Sequence, residues 1–169
     1  LGLQHISDDI VAVKTDDTGS VDAIVTQHHG LQSADLYIDC TGFAGVIIQQ
    51  TLKNPFNSYN SNLFNDSAVT VQTPKSVDSA ISPCTTSTAL SNGWVWKIPL
   101  LNRYGNGYVY SSAFTSPDQA EQEFREHLKL NDNDDVKIRH LSMKVGRIEQ
   151  HWHKNCLAVG LSQGFIEPL

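Results

Sequence analysis

The sequence predicts an α/β fold of mixed α+β character, rich in strands and with one clear helix. Three observations carry this: short runs in which apolar residues alternate, turn-forming clusters between those runs, and one stretch that combines helix-start chemistry with apolar residues at helical spacing. Residues 9–15 alternate and are rich in Val and Ile. Asp16-Asp17-Thr18-Gly19-Ser20 is a turn cluster, and residues 21–27 read as the returning strand of a hairpin. Residues 35–40 read as a third strand that ends at Thr41-Gly42-Phe43. Residues 54–91 are rich in Asn, Ser, Thr and Pro, so they are expected to be mostly loop, with only 67–73 strand-like. Residues 93–99 form the next strand; 103–107 are expected to turn and 108–113 to return, making a second hairpin. Ser116 then precedes Pro117 at a first helical position, with Asp118 and Glu121 in the opening turn and Ala120, Phe124 and Leu128 at helical spacing. Residues 131–135 are expected to end that helix, and 136–149 and 156–161 to supply further strands. No internal repeat is evident.

Composition narrows the function classes. A chain of 169 residues with 40% hydrophobic residues is one domain, or part of a larger one, with enough apolar side chains for a core. The net charge of -6 and the scatter of the twelve Lys and Arg argue against a nucleic-acid surface. No apolar run suggests a membrane span. Cys40, Cys84 and Cys156 are odd in number and lack metal-like or redox-like spacing, and no signal peptide is visible, which makes reduced thiols in a cytoplasmic protein the expectation. His151 and His153 would share a face on a strand, but no third ligand is placed beside them, so they read as exposed strand-end residues and no metal is expected. His28-His29 read as turn residues, and His127 and His140 have no partner motif. The run Asp132-Asn133-Asp134-Asp135 lacks the alternate ligands and distal Glu of a calcium loop and reads as a solvated loop. Ser-His-Asp hydrolysis is poorly supported, since no Gly-x-Ser-x-Gly occurs.

The most informative segment is Gly93-Trp94-Val95-Trp96-Lys97-Ile98-Pro99, which holds two of the chain's three tryptophans one residue apart. Alternation puts Trp94, Trp96 and Ile98 on one face, and Pro99 caps the strand or marks an edge. In an arbitrary protein such a pattern is most often an aromatic core face. Here it has a second meaning, because Trp-x-Trp-x-Ile-Pro is the signature of the flavin-dependent tryptophan halogenases, and this chain resembles that family at each fixed position. The resemblance continues through Leu100-Leu101-Asn102-Arg103-Tyr104-Gly105-Asn106-Gly107-Tyr108-Val109-Tyr110-Ser111-Ser112, through Met143-Lys144-Val145-Gly146-Arg147, and through Trp152-His153-Lys154-Asn155-Cys156-Leu157-Ala158-Val159-Gly160-Leu161-Ser162. It reaches Gly164-Phe165-Ile166-Glu167-Pro168-Leu169, which looks like the family's Gly-Phe-x-Glu-Pro-Leu segment at the flavin. Several motifs in order are far harder to match by chance than one.

The resemblance implies a fold, a cofactor and a chemistry. The fold would be an incomplete FAD-binding domain of the aromatic-hydroxylase and halogenase type, covering residues 1–169. With no initiator Met and no Gly-x-Gly-x-x-Gly, the sequence reads as an internal fragment, lacking the glycine-rich phosphate segment, the family's catalytic lysine, and the catalytic glutamate expected just after Leu169. Glu167 is not that glutamate. FAD contacts are expected from Thr41, Gly42 and Phe43 at one strand end and from Gly160, Leu161 and Pro168 at another, where glycines let the backbone approach a dinucleotide. Taken alone, Asp-x-Thr-Gly is more often explained by a plain turn. Arg147 could contact FAD phosphates or support the sheet. In the family, FADH2, oxygen and a halide ion yield a hypohalous acid that reaches a separate, electron-rich aromatic such as tryptophan or an indole. Trp94, Trp96, Ile98 and Pro99 would shield the flavin from that substrate and from bulk water. The implied partners are a separate flavin reductase supplying FADH2 and the small aromatic substrate, with no NAD site in this chain; the isolated fragment is expected to be inactive, and a homodimer stays open. The alternatives are a flavin-dependent aromatic hydroxylase, disfavoured by Gly160-Leu161-Ser162 where hydroxylases carry Gly-Asp-Ala, and a non-catalytic flavin-fold remnant.

Overall fold

The computed structural model describes residues 2–76, 80–131 and 134–166. These divide into two compact units, residues 2–58 with 146–166, and residues 59–145.

The first unit opens with β1 (Ile10–Thr15) and β2 (Val21–Thr26), paired antiparallel. The Asp16 carboxylate makes the turn between them, accepting hydrogen bonds from the Thr18 and Ser20 amides, each at 2.9 Å, while Gly19 adopts φ +76. An Asp that binds its own following amides is the physical content of the predicted turn cluster. β3 (Gly30–Gln32) adds to β2; three residues are too few for alternation to announce. The predicted third strand is shorter than its apolar run, with β4 at Tyr37–Asp39. A π-helical turn at Val46–Thr51 and β5 (Phe56–Ser58) follow.

The second unit holds an antiparallel sheet of β6 (Ser67–Pro74), β7 (Thr86–Leu90), β8 (Gly93–Pro99), β9 (Arg103–Tyr110) and β10 (Arg139–Ser142), in the order β10-β6-β9-β8-β7, and a helix α1 (Pro117–Leu128). Two expectations are corrected here. Part of the stretch read as loop is the edge strand β7, whose Thr-Ser-Thr-Ala-Leu has little apolar signal but pairs with β8 along its whole length. Residues 103–107 are strand and not turn: the reversal falls earlier, where the Leu100 amide donates to the Arg103 carbonyl at 2.8 Å, and Gly105 and Gly107 lie inside β9.

The helix begins where the sequence places it. Ser116 and Gln119 form a capping box, the Gln119 amide donating to Ser116 Oγ and the Ser116 amide to Gln119 Oε1. It ends sooner than residues 131–135, at Lys129 in the left-handed region with φ 56. Ala120 and Phe124, both fully buried, press on Val69, Val71, Val95, Tyr108 and Tyr110 of the sheet.

The chain then returns to the first unit as β11 (Gly146–Ile148), β12 (Trp152–His153), β13 (Cys156–Ala158) and β14 (Gly164–Phe165). β11 lies between β5 and β14, both antiparallel to it. β13 lies between β12 and β4, and the β13–β4 pair is parallel, with Ala158 opposite Asp39. Val21, Tyr37, Ile47, Ile48, Ile148, Cys156 and Ala158 form the core of this unit. Among the described residues no helix is long and apolar enough to cross a membrane.

Phe124→Ala should lower the unfolding free energy by about 4 kcal/mol, and Ser116→Ala by about 1 kcal/mol, in denaturant titrations. Glu121 accepts from Arg125 Nε at 2.8 Å and stands 2.8 Å from His140 Nε2; the Arg125 hydrogen bond, aided by His140, holds its carboxyl below the ordinary 4.5. A lowered carboxylate stabilises the fold above its ordinary value and loses that contribution as pH falls through the lowered one. Glu121→Gln should therefore flatten the acid limb of stability below pH 4.5 relative to the unmodified protein, read as denaturation midpoint against pH.

Candidate functional site

The centre of the first unit's site is a carboxylate. Asp39 closes β4 with its side chain fully buried. One oxygen accepts the Thr41 amide at 2.9 Å and the Thr41 hydroxyl at 2.6 Å, and the other accepts the amides of Ile47 at 3.0 Å and Ile48 at 2.8 Å. Four donors answer one buried charge, two of them from the start of the π-helical turn, where orphan amides favour an anion. Thr41 Oγ1 in turn accepts the Val46 amide at 2.8 Å. The loop from 40 to 48 is thus folded around two side chains, with Gly42 and Gly45 at positive φ supplying its bends.

The parallel pair brings a second loop beside it. The Val159 amide donates to the Asp39 carbonyl at 3.0 Å. The buried Ser162 shares its hydroxyl proton between the carbonyls of Asp39 and Val159. Gln49 Nε2 reaches the Ser162 carbonyl at 3.2 Å, and the rings of Phe43 and Phe165 meet edge to face, centroids 6.0 Å apart. Five of the six residues expected at FAD therefore share one rim at the C-terminal ends of two neighbouring parallel strands: Thr41, Gly42, Phe43, Gly160 and Leu161. Pro168, with Glu167, lies outside the described residues. Gly42 at φ +70 and Gly160 at φ +66 have no described heavy atom within 4 Å of where a Cβ would stand, so main chain is open to approach at both. That geometry fits a dinucleotide, which open α/β sheets take at strand carboxyl ends. Arg147 Nη1 donates to the carbonyls of Ile148 and Glu149, both at 3.0 Å.

The second unit carries the indole face. On β8 the core side is Val95, fully buried, and the opposite side presents Trp94 and Trp96, half-buried, and the exposed Ile98. The two indole centroids are 5.9 Å apart at 59°. The tryptophans are thus not the core face that their pattern most often means; Val95 has that part. Pro99 ends the strand opposite Tyr104. Beside Trp96 an open cleft of about 420 Å³ is bordered by Thr70, Gln72, Lys137 and Arg139. The turn leading into the motif is tied to the helix: Tyr108 Oη donates to Glu123 Oε2 at 2.7 Å, Glu123 Oε1 accepts the Ser91 amide at 2.9 Å, and the Asn92 amide donates to Tyr108 Oη at 3.2 Å. Burial and the Glu123 contact push the Tyr108 phenol up, so it stays a donor.

Asp39, Ser162 and Glu123 are not among the site residues expected from the sequence. Asp39 had a local signal, an Asp two residues before Thr with Gly following, the pattern in which an Asp side chain accepts the amide two residues on. Glu123 binds residues 15 and 32 positions away, and Ser162, besides Val159, binds Asp39 from 123 positions away, links that no local pattern records. Four of the histidines have partners here: His151 lies 3.1 Å from Gln163 Nε2, His153 2.7 Å from Gln150 Oε1, and His28 and His29 at the β2–β3 turn reach Asp8 at 2.9 and 2.7 Å. His151 and His153 are half-buried, which corrects the exposed reading. Among the described residues no group of three His, Cys, Asp or Glu is placed to hold a metal.

The family profile of tryptophan halogenases matches residues 1–169, the whole chain. The chain belongs to the tryptophan halogenase family. It is 46% identical over 169 residues to tryptophan 6-halogenase SttH of Streptomyces toxytricini, covering 99% of this chain and 32% of that protein. It is 39% identical over 170 residues to tryptophan 7-halogenase RebH of Lentzea aerocolonigenes, covering all of this chain and 32% of that protein. The crystal structure of SttH superposes with a TM-score of 0.93 over 99% of this chain and 33% of its own, and a tryptophan halogenase structure from Shewanella frigidimarina, 38% identical, gives 0.92 over 100% and 33%. The chain thus spans about a third of the length of these halogenases, and its strand-rich α/β architecture is theirs over that span.

Asp39→Ala strands the Thr41, Ile47 and Ile48 amides and should cost about 3 kcal/mol in denaturant titrations, with Asp39→Asn recovering part of the loss. Burial pushes the Cys156 thiol up to about 11, while Cys40 and Cys84 are exposed. A thiol reagent at neutral pH should therefore modify Cys40 and Cys84 promptly and Cys156 only in denaturant, as peptide mass mapping would show.

Proposed function

We propose that this chain is the part of an FADH2-dependent halogenase that supplies one edge of the flavin site and the indole shield. The activity would be halogenation of an electron-rich aromatic, tryptophan or an indole, with oxygen and halide. One observation carries the reading: in a chain matching the family from end to end, Trp94 and Trp96 are held together on the side of β8 away from the core, where packing does not account for them. Two large apolar rings kept partly in solvent, outside the core, suit a surface kept for use.

FAD, when bound and reduced, supplies the electrons with which oxygen turns halide into an electrophilic halogen. The chain's own part is positional. Thr41, Gly42 and Phe43 with Gly160, Leu161 and Pro168 would hold the cofactor through main chain, Asp39 fixing the first loop. Trp94, Trp96, Ile98 and Pro99 would keep water and the organic substrate away from the reacting flavin, which favours halide over ring hydroxylation. The acid-base lysine and glutamate that the family uses to deliver halogen belong to segments outside these residues. FADH2 would come from a separate flavin reductase. The relatives SttH and RebH bear names for tryptophan at positions 6 and 7, which makes free tryptophan the first substrate to try.

The test uses the protein that carries this chain, with reductase-supplied FADH2, oxygen, bromide and a panel of tryptophan and indoles, products being read by mass spectrometry. A bromine isotope doublet is the expected result. Trp96→Ala should lower its yield on the order of 10²-fold. Oxygen insertion without bromine would make the protein a flavin aromatic hydroxylase and the tryptophan pair ordinary surface.

A further inference from the structure

Gly107 lies on β9 directly opposite Trp96 of β8, with Thr70 of β6 on its other side. A Cβ built at Gly107 would stand 2.0 Å from Trp96 Cζ2, 2.3 Å from Cη2 and 2.5 Å from Cε2. The indole therefore lies flat across the β9 backbone, in the volume that any side chain at 107 would fill. Backbone conformation is not the reason for the glycine, because Gly107 is not in the left-handed region and its strand geometry suits other residues. Gly105 provides the internal comparison: it is on the same strand and the same face, opposite Ile98, and no described heavy atom lies within 4 Å of its would-be Cβ. One glycine is required by an indole and the other is not.

We propose that Gly107 is a positioning residue for the halogenase reaction, fixing the orientation of Trp96 and through it the Trp94–Trp96 pair. A methyl group at 107 would lift the six-membered ring off the strand, and with Trp94 only 5.9 Å away the indole has no room to rise without breaking the pair. The shield would then lose its continuous face while the core below, built on Val95, Tyr108 and Phe124, keeps its packing. This inference rests on the halogenase reading for its functional consequence, but its geometric content stands apart from it.

The experiment compares Gly107→Ala, Gly105→Ala and Gly107→Ala combined with Trp96→Phe in the protein that carries this chain. The indole exciton couplet in circular dichroism, assigned by its loss in Trp94→Phe, reads the pair, and the ratio of brominated product to oxygen consumed reads the shield. Gly107→Ala should abolish the couplet and lower the ratio about 10-fold or more, while Gly105→Ala keeps the couplet. Shortening the ring relieves the clash, so the double variant should unfold at the temperature of Trp96→Phe alone; this separates overpacking from misplacement if Gly107→Ala folds poorly. A couplet and a product ratio unchanged in Gly107→Ala would overturn the inference. If the unmodified protein yields no brominated product, the halogenase reading falls instead, and the couplet alone still decides whether Gly107 holds the indole.

Discussion

A buried carboxylate facing four donors is the constraint around which the first unit is arranged. Asp39 ends β4, and its side chain gathers Thr41, Ile47 and Ile48 into a loop that would otherwise leave main-chain amides without partners in an apolar interior. Its carbonyl, meanwhile, accepts from Val159 and Ser162 and so anchors the second loop. One residue thereby sets both halves of the rim, side chain for one and main chain for the other. The parallel pairing of β4 with β13 makes this economy available, because only parallel neighbours end on the same side.

The second unit solves a different problem. An antiparallel sheet with a helix on one face needs apolar side chains on that face alone, and β8 meets the need with Val95. Its other face lies outside that core. Trp94 and Trp96 occupy it, and the strand beneath gives up a side chain at Gly107 to let one ring lie down. The core and the proposed shield thus fall on opposite sides of one strand, which is why changes on the two sides should report separately. The Ser91 amide donates to Glu123 and the Asn92 amide to Tyr108, whose hydroxyl in turn donates to Glu123, so the motif's entry is tied to the helix and the two faces share one frame.

Much of this was legible beforehand, for reasons that can be located. The hairpin of β1 and β2 was readable because its turn chemistry is local, Asp16 binding amides two and four residues ahead. The helix was readable from Ser116, Pro117 and the spacing of Ala120, Phe124 and Leu128 for the same reason. The strand β7 was not, since its polar residues become a strand only by pairing with β8. Residues 103–107 misled because glycines usually mark turns, and here one of them marks the underside of an indole. In the site, the glycine and tryptophan positions were visible as motifs, whereas the links from Ser162 to Asp39 and from Glu123 to Ser91 were not, spanning 123 and 32 residues.

The sequence by itself determined the family, the local turns and caps, and the alternation that sets Trp94, Trp96 and Ile98 apart from Val95, because each depends on contacts a few residues long or on the period of a strand. Only the tertiary structure decided which of those two faces meets the core, which glycine lies beneath an indole, and that the loops after β4 and β13 form one rim. Those outcomes depend on register between strands and on a parallel pairing across more than a hundred residues, where no short-range periodicity records the partner.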